Sequence, residues 1–314
     1  MAVKKFKEQK LWDDLHPNVK RGLLAMKDDL IIDDGRAIDP ETGEDVSHLF
    51  EVSLVTTDEQ IRGLEGNTEL QKHEIENGKF VFVFFRQMNC MDDRFPSLTR
   101  QDKARLLYIG TFIEFENGRL QAPNGKRIYN KDDIQQLVGM SRKRFNEFFR
   151  KLKTEGIIEE KETGELFMNS TVFYRGFLKN HEYDISELDH TRIFRKTVRD
   201  LYEKFQGRQL GQLAVIYSII PYLNLRYNVV CNNPAERNEE LIQPMGLEKL
   251  TEILGYSNST TLRRTLNNIK IDGEPVFAFV QNPNDRRSSR IIVNPRVVFA
   301  GDGEALKAIK VLFN

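Results

Sequence analysis

The feature that most constrains this chain is a stretch that occurs twice. Residues 131–153 read KDDIQQLVGMSRKRFNEFFRKLK, and residues 247–270, LEKLTEILGYSNSTTLRRTLNNIK, follow the same plan. In the first, Ile134, Leu137 and Val138 share one face of a short helix, and Gly139-Met140-Ser141 break it. Phe145, Phe148, Phe149 and Leu152 then recur at the spacing of a second helix, with Ser141 as its expected N-cap and Gly156 as its stop. In the second, Gly255 and Ser257 stand where Gly139 and Ser141 stand. With one extra residue in the turn, Leu262, Leu266, Ile269 and Lys270 take the places of Phe145, Phe149, Leu152 and Lys153. The echo extends downstream, where FMNSTVFYRG at 167–176 returns as IVNPRVVFAG at 292–301, and upstream, where an expected core helix over 100–115 returns over 212–225.

Apolar pairs at Ile157-Ile158 and Leu166-Phe167-Met168 around a Thr-Gly turn predict a two-stranded wing after the first helix pair. The expected fold is therefore α+β and mainly helical: tandem winged helix-turn-helix domains behind a small acidic N-terminal region. The expected bounds are 1–78 for that region and a linker, 79–180 and 191–314 for the two domains, and 181–190 for the linker between them. Phe80–Phe85 is expected as a strand, Asn130 as a cap, 191–205 as a helix leading into the second domain, and 304–313 as a terminal amphipathic helix.

The formal net charge is zero, but the charge is unevenly placed. Residues 1–80 hold 11 Lys/Arg and 18 Asp/Glu, net −7, whereas 81–180 carry net +5 and 181–314 net +2. Cys90 and Cys231 match no zinc or disulfide spacing, and they read as small buried apolar residues in a reducing compartment. The longest apolar run, 213–225, is interrupted and too short to span a bilayer, and no signal peptide is visible, so a cytoplasmic protein is expected.

The second helix of each pair carries the candidate contacts. In the first copy these are Ser141, Arg142, Lys143, Arg144, Asn146, Arg150, Lys151 and Lys153, between the apolar positions. In the second they are Asn258, Ser259, Thr260, Arg263, Arg264 and Asn267, fewer charges but more groups that pair with base edges. An amphipathic helix with such an outer face, after a short turn, suits a DNA major groove. The stretch NDRRSSR, with Arg286, Arg287 and Arg290, reads as a basic second wing, while the first wing tip, 161–165, is acidic and structural. Catalytic signals are weak: 207–212 lacks the lysine of a phosphate-binding loop, and the five histidines show no metal spacing. Neither enzymatic activity nor a cofactor or metal is expected.

At MNSTVFYRG and VNPRVVFAG the chain resembles replication proteins of small Gram-positive plasmids and their phage relatives, and its duplication is similar to the tandem winged helices of plasmid replication initiators. The resemblance implies a sequence-specific double-stranded DNA-binding protein, a replication initiator at a plasmid or phage origin in a bacterial host. A transcriptional regulator of the same mobile element is the alternative, and a protein-interaction adaptor a second one. The expected partners are double-stranded DNA, replisome or transcription proteins meeting residues 1–78, and a second copy in a homodimer, with no membrane.

Overall fold

The structure, a computed structural model, describes residues 16–17, 31–33, 36–38, 58–89, 91–282 and 285–313. The chain divides into two units, Met1–Asp58 and Glu59–Asn314. In the first, Ile31–Asp33 (β1) and Arg36–Ile38 (β2) form an antiparallel hairpin. Most of the acidic N-terminal region expected at 1–78, and Cys90, lie outside the described residues.

The second unit opens one residue into the helix Asp58–Glu76 (α1) and continues with Phe80–Phe85 (β3), whose sequence FVFVFF is apolar on both faces and needs cover on both. A short helix, Met91–Arg94 (α2), precedes Arg100–Gly110 (α3), which starts at a capping box made by Thr99 and Asp102. Asn130 caps Lys131–Leu137 (α4) in the same reciprocal way, as its sequence predicts. Arg142–Thr154 (α5) follows, then the hairpin Ile158–Glu160 (β4) with Leu166–Met168 (β5), and Phe173–Tyr174 (β6). The second half runs Asp189–Phe194 (β7), Arg195–Lys204 (α6), Ala214–Ser218 (α7), Leu223–Asn224 (β8) and Val229–Val230 (β9). Leu247–Ile253 (α8) and Ser259–Asn268 (α9) make its helix pair. Lys270–Ile271 (β10), Glu274–Pro275 (β11), Phe277–Asn282 (β12), Asp285–Val293 (β13), Val298–Phe299 (β14) and Gly303–Lys310 (α10) complete it.

The repeat in sequence is a repeat in local structure. Asn169 and Asn294 build the same turn: their amides donate to Ile157 O and Val276 O at 2.9 and 2.8 Å, and their side-chain amides to Gly156 O and Pro275 O at 2.9 and 3.1 Å. The strand that follows each turn pairs back onto the strand that opens its half, Phe173 opposite Val83 and Val298 opposite Ile193.

Two separate winged-helix domains in tandem are not what forms, although the coarser class, α+β, stands. Each domain of a tandem would close its own sheet, yet here one antiparallel sheet has the order β14-β7-β3-β6, with β3 of the first half paired to β7 of the second from Phe80–Phe194 to Phe85–Asp189. Residues 189–190, expected in the linker, and 191–194, expected in a helix, are strand β7 because the buried β3 takes a neighbour on both edges. The expected second core helix is broken into a 3-10 stretch Gly207–Leu213, α7, and a 3-10 turn Ile220–Tyr222 holding Pro221, which has no N–H to continue a helix. The second wing is likewise no free hairpin, since β12 and β13 belong to a four-stranded sheet of order β12-β13-β9-β8.

Residues 58–78, expected to belong to the acidic N-terminal region and its linker, are tied into the body. His73 on α1 is buried and its Nε2 donates to Pro295 O at 2.9 Å, Glu74 pairs with Arg192 at 3.0 Å, and Lys310 on α10 pairs with Glu69 at 2.7 Å. Gly66 and Gly303 bring α1 and α10 together backbone to backbone: a Cβ on Gly303 would lie 1.9 Å from Gly66 O. Gly303→Ala should force the two helices apart and cost about 1–3 kcal/mol in a urea denaturation. An unchanged midpoint would show that the contact has slack.

Burial pushes the His73 imidazole below its ordinary value of 6.5, more than its bond to Pro295 raises it. A histidine held neutral in the fold contributes stability above its unfolded pKa, and that stability is lost as pH falls from there through the lower folded value. Thermal unfolding between about pH 7.5 and 5.5 should therefore show a falling midpoint, with a slope from this group of at most about 1.4 kcal/mol per pH unit. His73→Gln should flatten that slope, leaving the part due to His190, which burial also lowers. A slope that survives unchanged in the variant contradicts the assignment.

Candidate nucleic-acid interface

Both helix pairs turn on a glycine in the left-handed region. Val138 and Leu254 end α4 and α8 at φ −87° and −85°, and Gly139 and Gly255 follow at φ 63° and 62°. The amides of Met140 and Tyr256 then bond back to Gln135 O and Thr251 O at 3.3 and 3.0 Å, the helix-ending pattern that a side chain with a Cβ disfavours at the glycine position. The two turns are therefore superimposable in their hydrogen bonding.

On α5, Phe145, Phe148, Phe149 and Leu152 are buried, so the core fixes the rotation of the helix and leaves Arg142, Lys143, Arg144, Asn146 and Arg150 exposed. Arg142, Lys143, Arg144 and Arg150 form no ion pair among the described residues, and the acid among them is the exposed Glu147. Ser141 occupies the N-cap position, as expected, but its hydroxyl makes no capping bond. Free amides at that end and the adjacent cations suit an anion such as a phosphate. The other two cations are engaged: Lys151 donates to Asp102 at 2.8 Å, and Lys153 to Glu160 at 3.0 Å. Lys151, half-buried against a buried carboxylate, ties α5 to α3.

On α9, Leu262, Thr265 and Leu266 face the core and Thr260, Arg263, Arg264 and Asn267 are exposed. Ser259 is half-buried. Asn258, expected as a base contact, is the helix cap: its Oδ1 accepts from the Thr261 amide at 2.8 Å. The Arg263 guanidinium lies over the Phe279 ring, its carbon 4.9 Å from the centroid, and the residue as a whole is exposed. Arg290 is half-buried on β13 and pairs with Glu239 at 3.3 Å. Arg286 and Arg287 fall within β13, and their side chains lie outside the described residues. The first wing tip is structural, as its acidity suggests: Glu165 pairs with Arg119 at 3.1 Å and accepts from Thr163 at 3.0 Å.

Sequence reading missed Arg100 and Tyr202. Arg100 donates from Nη2 to Leu254 O at 2.8 Å and Gly255 O at 2.6 Å and lies over the Tyr256 ring at 4.1 Å. Tyr202 donates to Val138 O at 3.1 Å and stacks on Tyr108 at 3.8 Å with planes 2° apart. Both sit at ordinary helix positions, and nothing in their spacing signals a long-range partner.

Other features point elsewhere. Among the described residues no group of His, Cys, Asp or Glu is placed to hold a metal, and no helix is long and apolar enough to cross a membrane. Cys231 is buried, which pushes its thiol pKa up and makes it a poor nucleophile. No family model, curated protein or solved structure matches this chain.

Proposed function

We propose that this chain is a sequence-specific double-stranded DNA-binding protein that acts by binding, as a replication initiator at the origin of a plasmid or phage in the cytoplasm of its bacterial host. The observation that carries the DNA reading is the pairing of two helix-turn-helix units with matching glycine turns and exposed second helices, one of which presents four cations without carboxylate partners among the described residues. Cations of that kind neutralise phosphates, while the exposed Arg263 and Asn267 are residue types that pair with guanine and adenine edges. The initiator role rests on the resemblance of the two closing phrases to plasmid and phage replication proteins.

The experiment is to recover the protein with its genomic DNA from cells carrying the parent element and sequence that DNA. One cluster of repeated sites at an origin supports the initiator. Sites scattered over promoters replace it with a transcriptional regulator, and recovery of proteins with no enriched DNA replaces it with an adaptor.

A further inference from the structure

The last carbonyls of a helix have no partner within it, and they are commonly met by the residues that follow or by water. Here the turns after α4 and α8 bond back to several of them, and the carbonyls just beyond each helix are met from the opposite half of the chain. Arg100, at the start of α3 in the first half, takes the two carbonyls that end α8 in the second, and Tyr202, on α6 in the second half, takes the carbonyl that ends α4 in the first. The residues contacted include an equivalent pair, Val138 and Leu254 being the C-caps of α4 and α8. Two further contacts join these clamps into one frame. Tyr202 stacks on Tyr108, two turns along α3 from Arg100, and Lys151 of α5 is paired with Asp102, which also forms the capping box of α3.

We propose that Arg100 and Tyr202 are positioning residues that fix the separation of α5 and α9, so that the chain accepts two DNA half-sites at one spacing and rejects others. This rests on the DNA-binding reading above. Arg100 is exposed and its guanidinium is spent on uncharged carbonyls and a ring rather than on a carboxylate. Its removal should therefore loosen the second turn without leaving a buried charge unpaired. Tyr202→Phe keeps the stack on Tyr108 and deletes the hydroxyl that reaches Val138. Arg100 and Tyr202 stand on α3 and α6 and not on α5 or α9, so the affinity of either helix for a single half-site should not depend on them.

Two measurements on the full chain test this. In a Cys90→Ser background, spin labels on Lys143→Cys and Arg264→Cys should give one narrow distance distribution, and Arg100→Ala combined with Tyr202→Phe should broaden it. This readout needs no DNA, and an unchanged narrow distribution overturns the clamp whatever the protein binds. In the second, duplexes carrying both half-sites are varied in spacing, where half-sites read from one face recur with the helical turn of about 10 base pairs. The native chain should prefer its best spacing by at least about tenfold, since fixed helices gain the second contact as an intramolecular one. The double variant should hold that preference to less than about twofold while binding a single half-site as well as the native chain does. If the distances broaden but the spacing preference stays, the clamps are structural ties only. If the native chain binds no duplex, the DNA reading and its spacing consequence both fall, while the distance result still decides whether the clamp exists.

Discussion

Replacing Arg142, Lys143, Arg144 and Arg150 together by alanine should weaken binding to any duplex by at least about a hundredfold at physiological salt. These side chains are exposed and have no carboxylate partner among the described residues, so no ion pair described there is lost with them. Each phosphate contact releases counterions, and the log-log dependence of affinity on salt should become shallower by about 0.9 per residue, or about 3.6 for the four. The loss should be the same on a preferred site and on a scrambled one, because phosphates carry no sequence. Lys151→Ala should behave differently: it leaves the buried Asp102 without that partner and should show first as lost thermal stability. A quadruple variant with native affinity and salt slope would remove α5 from the interface.

The second large effect belongs to α9. Arg263→Ala with Asn267→Ala should cost about 2–6 kcal/mol on the preferred site, taking each bidentate base contact at its usual 1–3 kcal/mol. On a scrambled duplex the same double variant should lose little, and its salt slope should fall by no more than about one phosphate's worth. The Arg263 guanidinium already rests over the Phe279 ring, so it starts in a restricted position and less freedom is lost on binding. Should the α5 variant relax specificity while the α9 variant only shifts the salt slope, the division of labour between the two helices is reversed.

How much of this could be read from sequence depends on the distance along the chain over which each decision is taken. Glycine at 139 and 255, asparagine at 130, and the apolar spacing of Phe145 to Leu152 are local signals, and the elements form where those signals place them. The exposed face of α5 follows from the same spacing. Pairing of strands is not local: the sequence FVFVFF announces a buried strand without saying which neighbours cover it, and β7 from the other half fills one edge. That pairing takes the last two residues of the expected linker into the sheet and makes the halves interdependent, so residues 79–180 alone would expose the β7 edge of β3. The candidate contacts divide in the same way. Exposure of Arg142 or Asn267 follows from periodicity, whereas the engagement of Lys151 with Asp102, of Asn258 as a cap and of Arg290 with Glu239 depends on what folds against each.

The claim at the centre is that α5 and α9 read one DNA molecule together. It is tested most directly by selecting duplexes from a random pool with the full chain and sequencing those retained over several salt concentrations. The enriched duplexes should contain two different short motifs, at one spacing and in one relative orientation, with the motif belonging to α9 lost when Arg263 and Asn267 are alanine. Retained duplexes with no common motif, or a single motif indifferent to the α9 substitutions, would contradict it.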